Sequence, residues 1–345
     1  MRKLILSTAL AIFSASAYAQ NTPANDCTPD QNKPAVGTTY TYQVSIPTAN
    51  GFTGNGKYHW YITQQTDLLG GRKIENTNNF FSVGSAADKA SYNDENNTKN
   101  PLELTWKADA LTTNDPFYLV VKYTEEKDNC QTSNIKAIKI KPLNNFKLNV
   151  TPVKDENGTA FTSGQERICA ADITSATIIG EKVKYVYGKT TLYYKVEMSG
   201  FTGNWKPTIS LPQLLGHTKT ETDATNRTYE SIEWKTGTNA FQTFSNSFNV
   251  SSQITNLTTD NPTTENSFIL KVVIDNGTYE GLTEENVTLS SKGNMILADG
   301  NLGARDVDDN CGEITNDANN RKANQIILAR PTVNAQSGEF IIQIQ

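Results

Sequence analysis

The chain has 345 residues, with 31 Lys and Arg against 36 Asp and Glu and a formal net charge of -5. That balance, with no Lys/Arg cluster in the chain, argues against binding nucleic acid or an anionic membrane by bulk electrostatics. Asn and Thr are abundant and no segment sustains a helical period, the composition of a β-rich protein with long polar loops.

Arg2 and Lys3 precede an apolar run from Leu4 to Phe13, and Ala17-Tyr18-Ala19 supplies a small-x-small cleavage site. The expectation is an export signal over 1–19, with cleavage leaving Gln20 as the mature N-terminus. No later stretch approaches the ~20 apolar residues of a membrane span. The mature chain is therefore expected in the periplasm, at the outer-membrane surface or secreted, without a transmembrane segment.

A polar, proline-dotted leader over 20–36 leads into short strands separated by turn signals. Thr39 to Ile46 alternates, and the glycine-rich cluster Gly51-Phe52-Thr53-Gly54-Asn55 breaks it. Tyr58 to Ile62, Leu102 to Trp106, Phe117 to Tyr123 and Ile135 to Ile140 read as further strands. The polar stretch 70–100 reads as loop with one edge strand at Phe80-Phe81-Ser82-Val83. Pro142-Leu143-Asn144-Asn145 is a short linker, without flexible Gly/Ser composition.

Phe146 to Val150 alternates cleanly. Strands are then expected at Ile173 to Ile179, Lys184 to Tyr187, Leu192 to Met198, Thr208 to Leu211, Tyr229 to Trp234, Phe241 to Val250 and Phe268 to Ile274. Within 275–307, Asn286 to Leu289 and Asn294 to Leu297 read as a hairpin turning through Ser290-Ser291-Lys292-Gly293. The sequence ends Phe340-Ile341-Ile342-Gln343-Ile344-Gln345, which echoes Phe146 to Val150. It reads as an edge strand paired within its own unit or as a strand offered to a partner sheet.

The stretch 51–55 returns as Gly200-Phe201-Thr202-Gly203-Asn204. A Tyr-rich strand precedes each copy and a tryptophan follows, Trp60 and Trp205. Phe117 to Tyr123 runs into Asp128-Asn129-Cys130, and Phe268 to Ile274, after an insertion, into Asp309-Asn310-Cys311. Each unit closes on an aliphatic strand and a proline, Pro142 and Pro331. The chain is therefore read as two tandem immunoglobulin-like, PKD-like antiparallel β-sandwich domains, 20–142 and 145–345, the second elaborated by a loop over 275–307. That loop is the first place to look for a recognition surface.

The chain has 4 cysteines, which in an exported protein read as two disulfides. The duplication selects Cys27–Cys130 and Cys169–Cys311, each inside one unit. Asp299, Asn301, Asp306, Asp308 and Asp309 alternate carboxylates and amides around a glycine, a pattern that suits Ca²⁺ but lacks the EF-hand spacing. A solvated loop accounts for the same residues. No nucleophile, metalloprotease or phosphate-loop motif occurs, and the 2 histidines, His59 and His217, stand in unrelated places. No catalytic residue is assigned and the chain is read as a non-enzyme. Tyr58, Tyr61, Trp106, Tyr118 and Tyr123 are numerous enough for a glycan platform, but aromatics in a sandwich more often fill its core.

The signal ending Ala-Tyr-Ala-Gln, the Asn/Thr-rich strands, and Val36 to Tyr42 with Tyr58 to Tyr61 resemble PKD-like or immunoglobulin-like surface proteins of Bacteroidota. Some of these accompany gliding adhesins and the type IX secretion system. The resemblance implies a structural or adhesion accessory that contacts envelope or outer-membrane proteins. It spans the mature chain but carries over no functional residue, and no C-terminal sorting domain is recognised after Pro331. A calcium-dependent glycan-binding module is the alternative.

Overall fold

The structure is a computed structural model, described here for residues 28–47, 51–216 and 227–332. The export signal, Cys27, His217 and the 340–345 stretch lie outside the described residues.

The first sandwich holds β1 (Thr39–Tyr42), β2 (Lys57–Thr63), β3 (Phe81–Val83), β4 (Leu102–Trp106), β5 (Phe117–Lys127) and β6 (Cys130–Ile140). Its sheets run β1-β4-β3 and β2-β5-β6, and every pairing within them is antiparallel. Alternation dictates the faces: Leu102, Leu104 and Trp106 point inward from β4 while Glu103 and Thr105 do not. Trp106 lies between Phe81 and Phe117, with ring centroids 5.7 and 4.8 Å away. Burying each such ring stabilises the fold by roughly 1.5–3 kcal/mol. β5 turns into β6 through Asp128 and Asn129 at φ 53° and 60°, the left-handed pair that a two-residue hairpin turn needs. The expected edge strand near Phe81 is present, followed by a short helix, α1 (Ala86–Ser91), that the polar composition concealed. Its capping box, Ser85 with Asp88, was its one signal in the sequence.

The second sandwich holds β7 (Lys147–Val153), β8 (Arg167–Ile168), β9 (Ile173–Ile179), β10 (Lys182–Tyr187), β11 (Lys189–Ser199), β12 (Trp205–Leu211), β13 (Thr228–Lys235), β14 (Gln242–Thr243), β15 (Ile254–Thr258), β16 (Ser267–Asp275), β17 (Glu285–Ile296), β18 (Leu302–Arg305) and β19 (Arg321–Ile327). One sheet runs β14-β13-β16-β11-β7 and the facing one β15-β12-β17-β19-β8, with β18 beside β17. β9 and β10 form a separate two-stranded ribbon. The all-β class of antiparallel sandwiches is thus the one expected.

Three expectations are corrected. Residues 290–293 make no turn, because β17 runs unbroken through them with Ser290 to Gly293 paired to β12. Gly293 is demanded instead by packing: a Cβ there would lie 2.7 Å from Phe146 Cζ. Phe241 to Val250 forms strand only at β14, and Ile254 to Thr258 takes the edge position beside β12. The segment 275–307 is no loop elaboration, since it contains β17, the central strand of its sheet.

That last point realigns the two units. β1 pairs with β4 as β11 pairs with β16; β2 pairs with β5 as β12 pairs with β17; β5 pairs with β6 as β17 pairs with β19. Phe268 to Ile274 therefore corresponds to β4, not to Phe117–Tyr123. Both are continuous apolar runs, and such runs look alike whichever sheet they occupy.

The sandwiches meet end to end. Asn144 Nδ2 donates to Arg305 O at 2.8 Å, and the Ala298 N–H donates to Asp109 Oδ2 at 3.0 Å. Gly37, at φ 79°, comes so close that a Cβ would sit 2.4 Å from Thr202 N, so only glycine fits that joint.

Candidate functional site

In the second sandwich β7 borders β11 and lies across β17 and β19. Beneath it Ala323, Gln325 and Ile327 of β19 are buried. Gln325 Nε2 donates across the core to Tyr193 O of β11. Among the described residues of the first sandwich, no strand pairs with the outer edge of β1, the position that β7 holds against β11. Opposite that position, the core-facing side of the β2-β5-β6 sheet carries Leu119, Val121 and Tyr123 on β5, registered with Ile138, Lys136 and Asn134 on β6. Unlike their counterparts on β19, Asn134 and Lys136 are exposed and Ile138 is only half-buried.

The opening is a groove of about 640 Å³ bounded by Val44 and Ile46 on one side and Val121, Tyr123, Asn134 and Lys136 on the other. A smaller recess of about 100 Å³ continues it past Tyr42, Leu119 and Ile138 to Trp60. Trp60 is 3% exposed, and its indole Nε1 has no hydrogen-bond partner. An unmet buried donor is costly, and here it borders the recess.

The mouth of the groove is set by the first glycine loop. Glu125 accepts hydrogen bonds from Thr53 N (2.9 Å), Thr53 Oγ1 (2.7 Å), Gly54 N (3.2 Å) and the Tyr123 hydroxyl. The Tyr123 and Thr53 bonds hold its carboxylate down at about 2, and burial above all pushes the Tyr123 hydroxyl up to about 12. Phe52, in the same loop, lines the groove half-buried. In the second copy Phe201 is 8% exposed and packs on Phe146 with centroids 5.6 Å apart. The two loops are alike in sequence; Phe201 has the Phe146 ring, just ahead of β7, against it, whereas Phe52 has Lys127 Nζ 5.6 Å from its ring centroid.

The carboxylates singled out for calcium are not brought together. Asp299 accepts from Asn301 N and Nδ2 in an exposed turn, and Asp308 accepts from Asn310 N and Gly312 N. Asp309 meets Arg321 at 3.3 Å. Asp306 is buried with one oxygen on Gly293 N at 3.0 Å, and burial raises its pKa. Among the described residues no group of three or more His, Cys, Asp or Glu is assembled that would hold a metal.

The cysteine pairing is corrected. Cys130 and Cys169 are free and exposed, while Cys311 is disulfide-bonded. Cys169 follows Ile168, which pairs with Ile327, whereas the turn carrying Cys311 follows Val307, whose N–H donates to Phe146 O. Those are opposite ends of the second sandwich, far beyond the ~7 Å of Cα separation that a bridge tolerates. Cys130 sits at the β5–β6 turn and is free, so the Cys27–Cys130 bridge is not formed either.

The aromatics do not make a platform. Tyr58, Tyr61, Trp106 and Tyr123 are buried and Tyr118 is half-buried. His59 is 4% exposed and bonded to Asn93, a structural position, with burial lowering its pKa. The β9–β10 ribbon was not singled out from the sequence. Its register puts Ala176, Ile178, Val183 and Tyr185 on one face and Thr177, Ile179, Lys182 and Lys184 on the other. Ile178 is 75% exposed, and no described residue covers that apolar face.

No family model matches this chain, and no curated protein matches it. Among solved structures it is similar to the collagen adhesin of S. aureus at 10% identity, covering 87% of this chain and 91% of that one, with a TM-score of 0.20. The collagen-binding domain of the Erysipelothrix rhusiopathiae surface protein RspB matches at 8% identity over 85% and 90%, with a TM-score of 0.19. At such low scores these likenesses say nothing of what this chain binds.

Proposed function

We propose that this is a non-enzymatic envelope or cell-surface protein, a structural or adhesion accessory that acts by taking an extended segment of a protein partner into the first sandwich. The observation that supports it is the position beside β1 that no strand of the described residues fills, with its half-buried apolar floor and unmet Trp60 N–H. A strand laid there runs along the edge that continues β1 over Val44 to Pro47, past Thr41, whose carbonyl accepts from Gln31 Nε2 at 3.2 Å, and its alternate side chains enter the groove. Export rests on the 1–19 signal, and placement among gliding or type IX accessories rests on the sequence resemblance alone.

The test places a photo-crosslinking residue at position 134 in the full chain and irradiates the native envelope. Protein adducts that vanish when Thr132→Trp fills the groove are expected. An envelope that gives none overturns the reading.

A further inference from the structure

We infer that the groove takes residues 340–345 of a second copy of this chain, so that copies join head to tail. This rests on the strand-accepting reading above and names its partner. Three observations carry it.

The first is the form of the strand that holds this position in the second sandwich. In the second sandwich the position is filled by a segment beginning Phe146-Lys147-Leu148-Asn149-Val150, with Phe146, Leu148 and Val150 buried and Asn149 exposed. Phe340-Ile341-Ile342-Gln343-Ile344-Gln345 has the same pattern, with Phe340, Ile342 and Ile344 at the inward positions and Gln343 and Gln345 outward. Each segment follows the proline that closes a unit.

The second is polarity. β7 enters beside Ser199, next to the second glycine loop, and runs antiparallel to β11. A segment in the same sense along β1 enters next to Phe52. That is the end of the first sandwich away from the joint with the second. Phe340 then meets Phe52 as Phe146 meets Phe201.

The third is reach. The chain leaves the second sandwich at the end farthest from the first. There Arg330 N donates to Gly281 O at 2.8 Å, and the Arg330 guanidinium stacks 4.2 Å from the Tyr187 ring centroid. From Thr332 to Phe340 an extended chain spans at most about 29 Å. β11 alone is about 35 Å long, and the groove lies about 10–25 Å beyond the joint along β6. The segment therefore cannot reach the groove of its own copy. Insertion into another copy is heterologous and does not close, which yields an open series of oligomers.

The experiment uses the purified mature chain and sedimentation velocity over a range of concentrations. Dimers, trimers and longer species are expected, and deletion of 340–345 or Ile342→Asp should leave only monomer. Thr132→Trp, at an exposed groove position, should do the same from the accepting side, with circular dichroism confirming the fold. Mixing the deletion variant with Thr132→Trp leaves one competent groove and one competent strand, so a single 1:1 dimer and nothing larger is expected. A symmetric contact would not show that limit. A chain that stays monomeric, or a deletion variant that oligomerises like the parent, overturns the inference. If position 134 meanwhile crosslinks to other envelope proteins, the strand-accepting function stands without it.

Discussion

The ring of Phe146 occupies the room that a side chain at position 293 would take. A Cβ on Gly293 would lie 2.7 Å from Phe146 Cζ and 3.0 Å from Leu148 Cδ1. The glycine in the middle of β17 is thus the seat of the first strand of the second sandwich. Gly293→Ala is expected to overpack this contact and cost about 1–3 kcal/mol, read as a lower urea midpoint with an unchanged slope. An unaltered midpoint would mean that Phe146 is not held where the structure puts it.

Glu125 gives the first glycine loop a pH dependence. Its folded value, about 2, lies below its ordinary 4.5. A depressed carboxylate contributes stability in full above the unfolded value, and the contribution is lost as pH falls through the folded one. The advantage of the parent over Glu125→Gln should therefore be constant above pH 4.5 and shrink between there and about pH 2. Denaturant midpoints taken across that range check it. A difference that does not change with pH would remove the carboxylate from the account.

The buried pair of Arg227 with Glu285 should be among the most sensitive points of the second sandwich. Their side chains are 2% and 7% exposed. Arg227 Nε also donates to Asn276 Oδ1 at 2.9 Å, and Glu285 Oε1 accepts from Leu215 N at 2.7 Å. Arg227→Met leaves the carboxylate buried without its cation, at an expected cost of about 3–5 kcal/mol. Arg167→Met breaks the exposed pair with Glu284 and should cost under about 1 kcal/mol. Thermal unfolding of the two variants side by side decides it, and equal losses would contradict the burial argument.

Alkylation of the native chain with iodoacetamide should label Cys130 and Cys169, which are free and exposed, and spare Cys311. Peptide mass mapping reads this directly. Protection of Cys169 together with Cys311 would restore the pairing that the duplication suggested.

Much of the fold was legible because strand alternation leaves a plain trace. Tyr58, Trp60 and Ile62 lie on one face of β2 as their spacing indicated, and the repeated glycine loop marked two related units. What could not be read was which strand lies beside which. Phe268 to Ile274 and Phe117 to Tyr123 are both runs of apolar residues, and nothing within such a run names its neighbour. Ser290 to Gly293 has the composition of a turn, and only the position of Phe146, far away in sequence, makes it strand interior. The groove was illegible for a related reason. It is a position that no strand of the described residues fills, detectable only by laying one sandwich over the other and finding β7 without a counterpart among them. The ribbon's apolar face escaped notice because Ile178 and Val183 look like ordinary core residues until the sheets are counted.

The β7–β11 ladder, registered from Lys147 opposite Ser199 to Val153 opposite Tyr193, has a mechanical consequence. Traction on the first sandwich passes along the backbone through 144–146, where Phe146 N donates to Asn144 Oδ1 at 3.0 Å, and so into β7. A pull along the strand axis loads the rungs of the ladder in parallel, so that they must give way together. A strand peeled from its end yields one rung at a time at low force. A joint sheared along its length resists until the whole strand slips.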